Sequence, residues 1–418
     1  MDLIRHKLAV ALLGAMCSSA IYAADSTEQQ QIQELRQELD ALKAWVAQQK
    51  AALENQTVAT PAVTLVPAAP QIEQSKPTTL KSKAGAEVNL YGFIRADAAY
   101  QFEGGTGIFN RINKIALDND PENPNKRATE KRFDSTATAT RIGLDFKAPV
   151  QDHDVNGKIE IDFRGGASND TVRIRHAYVS VDNWLLGQTT STFLSTETLP
   201  ELLDFNGVLG GGVFRTPMVR YSDSLNANTQ YMLGLEKSSS DNEYPTLAAK
   251  LTHQFEDGKG FVNIRGMAQE VRARTDEKDY TDFGWGVGVG LKYKPIAKLN
   301  LTANYAHAVG DDKYFLYNLD NSIPEANDID LVEFDAVSAG ATYQFTPKIR
   351  STLGYGALFY DENVVKGNDN LQQGWLNVMY NPFKPVTFGV EYIYGERETL
   401  DNKSGTDSRL EFMAKYDF

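Results

Sequence analysis

The stretch TVRIRHAYVSV, Thr171 to Val181, sets Arg173 and Arg175 two residues apart among Val172, Ile174 and Tyr178. Side chains two apart in an extended strand share a face, so this segment would carry guanidinium groups on one side and apolar groups on the other. A guanidinium stays charged at physiological pH and offers a planar fork that takes a carboxylate through two hydrogen bonds. The chemistry that such a pair suggests is anion recognition. A hydrolytic reading of His176 and Ser180, which fall on the apolar phase, fails on distance: four residues of strand separate them by roughly 13 Å, beyond the reach of a nucleophile and its base. His176 then reads as a subunit-contact residue or a local break in the pattern. In GWGVGVG, Gly284, Gly286, Gly288 and Gly290 recur every second residue within a strand, with no helix after them, so a phosphate cradle is not expected. They would instead leave the inner wall bare where something packs close. Asp118, Asp120 and Glu122 imitate the start of a calcium loop, but Asn123 stands where the loop requires glycine. No metal, no cofactor and no enzymatic activity are expected.

The elements that hold these side chains show a period of two from Val88 to Phe418. Val88, Leu90, Ile94, Ala96, Ala98 and Tyr100 share one face, and Asn89, Arg95, Asp97 and Gln101 the other. Ile142, Leu144 and Phe146 oppose Arg141, Asp145 and Lys147; Ile159, Ile161 and Phe163 oppose Lys158, Glu160, Asp162 and Arg164. Alternating segments of about ten residues, without a long apolar run, predict an all-β fold: a transmembrane antiparallel β-barrel. Strand starts near Val88, Ser135, Val155, Thr171, Trp184, Thr216, Asn228, Tyr244, Gly260, Tyr280, Leu299, Leu331, Ile349, Leu371, Val386 and Asp407 give about sixteen strands. Short connections such as Asp182 and Asn183 alternate with long ones such as Leu194 to Arg215, as periplasmic turns and outer loops do in such barrels. With the apolar phase facing lipid, Arg95, Arg141, Arg164, Arg173, Arg175, Arg220 and Arg265 point into the lumen with Asp97. If the segment 194–215 folds into the channel, it brings Glu201 and Asp204 as well.

The remaining residues set the context. The chain has 42 Lys and Arg against 55 Asp and Glu, so a nucleic-acid partner bound through a broad basic surface is not expected. Residues 1–23, with Arg5, His6 and Lys7 before a short apolar run and small residues to Ala23, read as a secretory signal peptide. The one cysteine, Cys17, falls within it, leaving no thiol chemistry for the mature chain. Residues 24–53 carry a heptad seam at Ile32, Leu35, Leu39, Leu42, Val46 and Leu53, which predicts a coiled-coil helix in the periplasm. Its branched a positions lean toward two strands. Residues 54–86 lose that period and gain Pro61, Pro67, Pro70 and Pro77, reading as a tether. Residues 87–418 are the barrel.

A terminal aromatic at Phe418, a long segment after the fifth strand, and RTPMVRYSDS opening the sixth resemble Gram-negative porins. More narrowly, the heptad extension, LYGFIRADAAY and RIRHAYVSVDNWLLGQTTSTF resemble the DcaP-like porins, whose name refers to dicarboxylic acids. That resemblance implies a homotrimer in the outer membrane, among its lipids and lipopolysaccharide, taking up small carboxylate solutes. Three readings stay open on the residues themselves: an anion-preferring diffusion channel narrowed by the third long loop; a general, non-selective porin whose arginines and acids only shape a transverse field; and a structural tether or adhesin whose N-terminal extension contacts the cell wall.

Overall fold

The strand pattern read from the sequence closes on itself in a computed structural model of the chain. The structure describes residues 80–82, 85–118, 126–238, 242–274, 278–315, 324–325, 328–329, 331–361 and 367–418. The signal peptide, the heptad seam, the calcium-like segment beyond Asp118 and nearly all of the tether lie outside the described residues. Within the span read as tether, Leu80–Lys81 already pairs antiparallel with Glu87 and Val88.

Sixteen antiparallel strands form the barrel. β1 is Glu87–Glu103. β2 is one strand in two pieces, Arg132–Thr136 and Arg141–Val150, which pair with the upper and lower parts of β1. Next come β3 His153–Gly165, β4 Thr171–Val181, β5 Trp184–Thr190, β6 Arg215–Asn226, β7 Thr229–Glu236 and β8 Thr246–Gln254. The series continues with β9 Gly260–Arg274, β10 Asp279–Ile296, β11 Leu299–Val309, β12 Glu333–Thr346 and β13 Ile349–Tyr360. It ends with β14 Asn368–Tyr380, β15 Val386–Thr399 and β16 Ser404–Asp417. β16 pairs with β1 from Phe93 opposite Asp417 to Tyr100 opposite Leu410, and Phe418 exchanges both backbone hydrogen bonds with Gly92. Closure leaves no sheet edge unpaired, the condition for backbone in a bilayer. Short turns such as 182–183, 297–298 and 347–348 gather at one end, and long connections at the other. Trp184, Tyr343, Phe345, Tyr380, Phe383, Tyr416 and Phe418 stand exposed toward the short-turn end, the position of an interfacial aromatic girdle.

The outward phase is as the alternation predicts: Ile94, Ile142, Ile159, Phe283, Trp285, Val287 and Phe412 are exposed. One strand breaks phase. In β4, Ile174 pairs with Ile161 and His176 with Glu160, so Arg175 is an extra residue with no partner on β3. This β-bulge resets the alternation. Beyond it Tyr178 and Ser180 pair with the inward Lys158 and Asn156, while Val179 pairs with Gly157 and is exposed. The outward placement of His176, Tyr178 and Ser180 expected from simple alternation is therefore corrected. His176 faces inward, within 2.9 Å of the buried Thr189 hydroxyl. Of its two sequence readings, the local break is the one observed.

The interior of the long-loop end is filled by loops. Phe193, Leu194 and Leu209 of the β5–β6 loop, Tyr314 and Phe315 after β11, and Ile112 and Ile115 after β1 form one buried cluster. It packs on Ala306, Ala308 and Ala336 of the wall, where small side chains leave room for rings. The glycine run of β10 serves the same packing: a Cβ on Gly286 would lie 2.9 Å from Phe193 Cζ, and one on Gly290 2.8 Å from Thr198 Oγ1.

Candidate functional site

The β5–β6 loop, 191–214, is held against one side of the inner wall by bonds to its main chain. Glu236 accepts from Thr192 N at 2.6 Å, Lys250 donates to Leu194 O at 2.8 Å, and Asn304 donates to Thr198 O at 2.8 Å. Farther along, Trp375 Nε1 and Asn377 Nδ2 donate to Glu201 O at 3.0 and 3.2 Å. The Glu391 carboxylate accepts from Leu203 N and Asp204 N at 2.9 and 3.0 Å. Asp204 is bonded to the fully buried Arg409, which also engages Asp407 and Glu411. All these anchors come from β7, β8, β11 and β14 to β16. The remaining space lies toward β1 to β4 and also borders β6, β13 and β16.

That space is a cavity of about 760 Å³ bounded by ten cationic side chains and two carboxylates, Glu201 and Asp204. Of the seven arginines expected to face the lumen, Arg95, Arg141, Arg164, Arg173 and Arg175 line it. Arg220 and Arg265 do not. They lie on β6 and β9, and Arg265 is buried, bonded to Asn263 and Asn304 at 2.6 and 3.3 Å, where the latter also holds Thr198 of the loop. Asp97 is buried behind the cavity surface, accepting from Arg95 Nε at 2.8 Å. Sequence reading passed over Arg215, which opens β6, Arg350 on β13, Lys415 on β16, and Arg111 and Lys114 in the β1–β2 loop, all of which line the cavity. Arg350 and Lys415 were legible as inward by period. Arg215 was not, because it begins a strand and its direction depends on the loop before it.

The cations differ in how far wall acids neutralise them. Asp162 accepts from Arg173 at 2.7 and 2.9 Å and from Arg175 at 2.9 Å. Glu160 accepts from Arg175 Nε at 2.7 Å and from the Tyr91 hydroxyl at 2.9 Å, with Arg141 Nε 3.4 Å away. The bulge at Arg175 lets β4 present Arg173 and Arg175 to both acids at once. Arg215 makes no ion pair among the described residues, and its buried Nε has no partner. Phe205 of the loop sits beneath three guanidinium groups, 5.4 Å from Arg95, 5.8 Å from Arg141 and 5.8 Å from Arg175. A ring face attracts each cation, so Phe205 and the two acids offset the repulsion of crowding like charges. Phe93 lies between Arg141 at 5.1 Å and Lys415 at 5.4 Å, extending the cationic track toward β16.

Closed strands, a lipid-facing apolar band and an inward loop beside a charged passage define a sixteen-stranded porin-type channel of a Gram-negative outer membrane, crossing it many times. Residues 19–418 match the model of the DcaP outer membrane protein family. The chain belongs to that family. It is 39% identical to the outer membrane channel DcaP of Acinetobacter baumannii, covering 81% of this chain and 99% of that one at a TM-score of 0.74. Two more distant barrels share the fold. The trimer form of OmpT of Vibrio cholerae is 15% identical over 80% of this chain and 99% of that one, at a TM-score of 0.52. An anion-selective porin from Comamonas acidovorans is 12% identical over 80% and 100%, at 0.54. No curated protein matches the chain.

Proposed function

We propose that this channel passes small carboxylates, dicarboxylic acids above all, by passive diffusion past the arginine-lined cavity, which the β5–β6 loop narrows. The observation that carries the reading is the imbalance of ten cations against two carboxylates around one cavity. Even with Asp97, Glu160 and Asp162 behind the surface, cations stay in excess. A passage of this kind lowers the barrier for anions and raises it for cations, while several weak sites in series let the solute leave. No bond is made or broken. The assembly is a homotrimer set among outer-membrane lipid and lipopolysaccharide, with the N-terminal extension in the periplasm and within reach of the cell wall.

The second reading, a general porin, is favoured by one observation: Arg95, Arg173 and Arg175 are ion-paired to wall acids, which suits a transverse field. Uptake into proteoliposomes separates the two. A channel for carboxylates admits succinate faster than a neutral solute of equal size and much faster than a diamine of equal length. Equal rates for all three contradict it and leave the general porin.

A further inference from the structure

Of the two carboxylates that border the cavity, one is locked and the other is not. Asp204 is bonded to the fully buried Arg409 and accepts from Asn206 N at 2.7 Å. Among the described residues Glu201 is paired only with Arg350, through Nε at 2.8 Å and Nη2 at 2.6 Å, and the two side chains are 31% and 26% exposed. This fork is the geometry in which an arginine takes a free carboxylate.

The loop does not need the pair. At this point its main chain is already held by Trp375, Asn377 and Glu391. Arg350 does not need it either. Its Nη1 donates to Asn381 Oδ1 at 2.5 Å, and Asn381 is in turn bonded to Thr387 at 2.6 Å, so the guanidinium keeps its aim when Glu201 leaves. A partly exposed ion pair contributes modest net stability, and exchanging it for an equivalent pair costs correspondingly little.

We propose that Glu201 is an internal stand-in for a solute carboxylate. It occupies Arg350 while the cavity is empty and yields that guanidinium to one end of a solute whose second carboxylate is held by the wall around Arg141 and Arg215. Glu201 thereby sets a threshold at the Arg350 pole: a solute with two carboxylates must displace it to use both poles, whereas a single carboxylate binds the Arg141 and Arg215 pole without doing so. The inference rests on the proposed reading of the cavity as an anion path.

The test is chloride current through bilayer-reconstituted channels, blocked by succinate or by butyrate, four-carbon chains with two carboxylates and one. In Glu201→Gln, half-block by succinate falls about three- to fivefold in concentration, as expected for removal of a competing, partly exposed pair, and half-block by butyrate moves much less. Glu201→Asp keeps the charge but is one methylene too short to reach the fork, and it behaves like Glu201→Gln toward succinate. Adding Arg350→Gln to either variant abolishes the gain. Equal shifts for both solutes, or a Glu201→Asp channel like wild type, reduce Glu201 to a general charge and overturn the proposal. Failure of the underlying reading looks different: the wild type then prefers cations and succinate does not block it at all.

Discussion

Among the described residues Arg215 has no ion-pair partner, whereas Arg173 and Arg175 share Asp162 and Arg175 also engages Glu160. Free guanidinium donors are what a passing carboxylate can use, so Arg215→Gln should weaken succinate block roughly three- to tenfold, within the net range of one ordinary hydrogen bond. Unchanged block would remove Arg215 from the solute path. Charge reversal of Arg173 and Arg175 is a poor test, because two new glutamates would stand against Asp162 and Glu160 and disturb the wall as well as the field. Asp162→Asn is cleaner: it frees Arg173, leaves Arg175 paired with Glu160 alone, and should shift selectivity further toward anions. Breaking a buried pair from one side costs up to about 3 to 5 kcal/mol, a cost visible as a lower unfolding temperature of the barrel. At the short-turn end, hydrogen bonds from His153, at 2.7 Å, and from Asp154 N hold the Asp182 carboxyl below its ordinary value. A depressed folded-state pKa gives stability that is present above the unfolded value of about 3.9 and lost as pH falls through the lower folded value. Wild type should outlast Asp182→Asn at neutral pH and converge with it in strong acid; an equal gap at all pH values would show that the ionised form is not what matters.

The β5–β6 loop owes its position partly to close approach, and Gly356 is one of the glycines that permit it. A Cβ on Gly356 of β13 would lie 2.2 Å from the Leu209 carbonyl oxygen, so Gly356→Ala must push the loop off the wall, at about 1 to 3 kcal/mol for overpacking. Single-channel conductance should change and the loop should become sensitive to protease, whereas wild-type conductance with an intact loop would show that the contact yields without moving it. Strands were readable in advance because a lipid-facing wall enforces a strict period of two; β4, β5, β9, β11, β13 and β15 begin at the residues expected, Thr171, Trp184, Gly260, Leu299, Ile349 and Val386. The bulge at Arg175 was not readable, since an extra residue leaves no local mark beyond an out-of-phase His176. Nor were the loop's anchors, because Trp375, Asn377 and Glu391 lie more than 170 residues from the groups they hold. Five cavity arginines could be named from period alone. Separating them from Arg220 and Arg265 required knowing which side the loop covers.

At the scale of the whole molecule, β1 and β16 pair with each other and close the barrel. Deleting residues 24–86 should therefore leave a channel that inserts, conducts and assembles as trimers by native mass spectrometry; recovery of monomers alone would assign assembly to the heptad seam, which is short for an independent helix. The net charge of −13 makes the cationic cavity a local feature against an acidic background, and a field confined to a narrow passage acts on solutes even where salt screens the outer surface. The central claim is that this cavity sets the charge preference of the pore. The reversal potential of the purified channel in a planar bilayer under a potassium chloride gradient reads that preference directly. Chloride should permeate faster than potassium, and the reversal potential should move toward zero in the Arg141→Gln, Arg215→Gln double variant. A potassium-preferring wild type, or a double variant identical to it, would contradict the account.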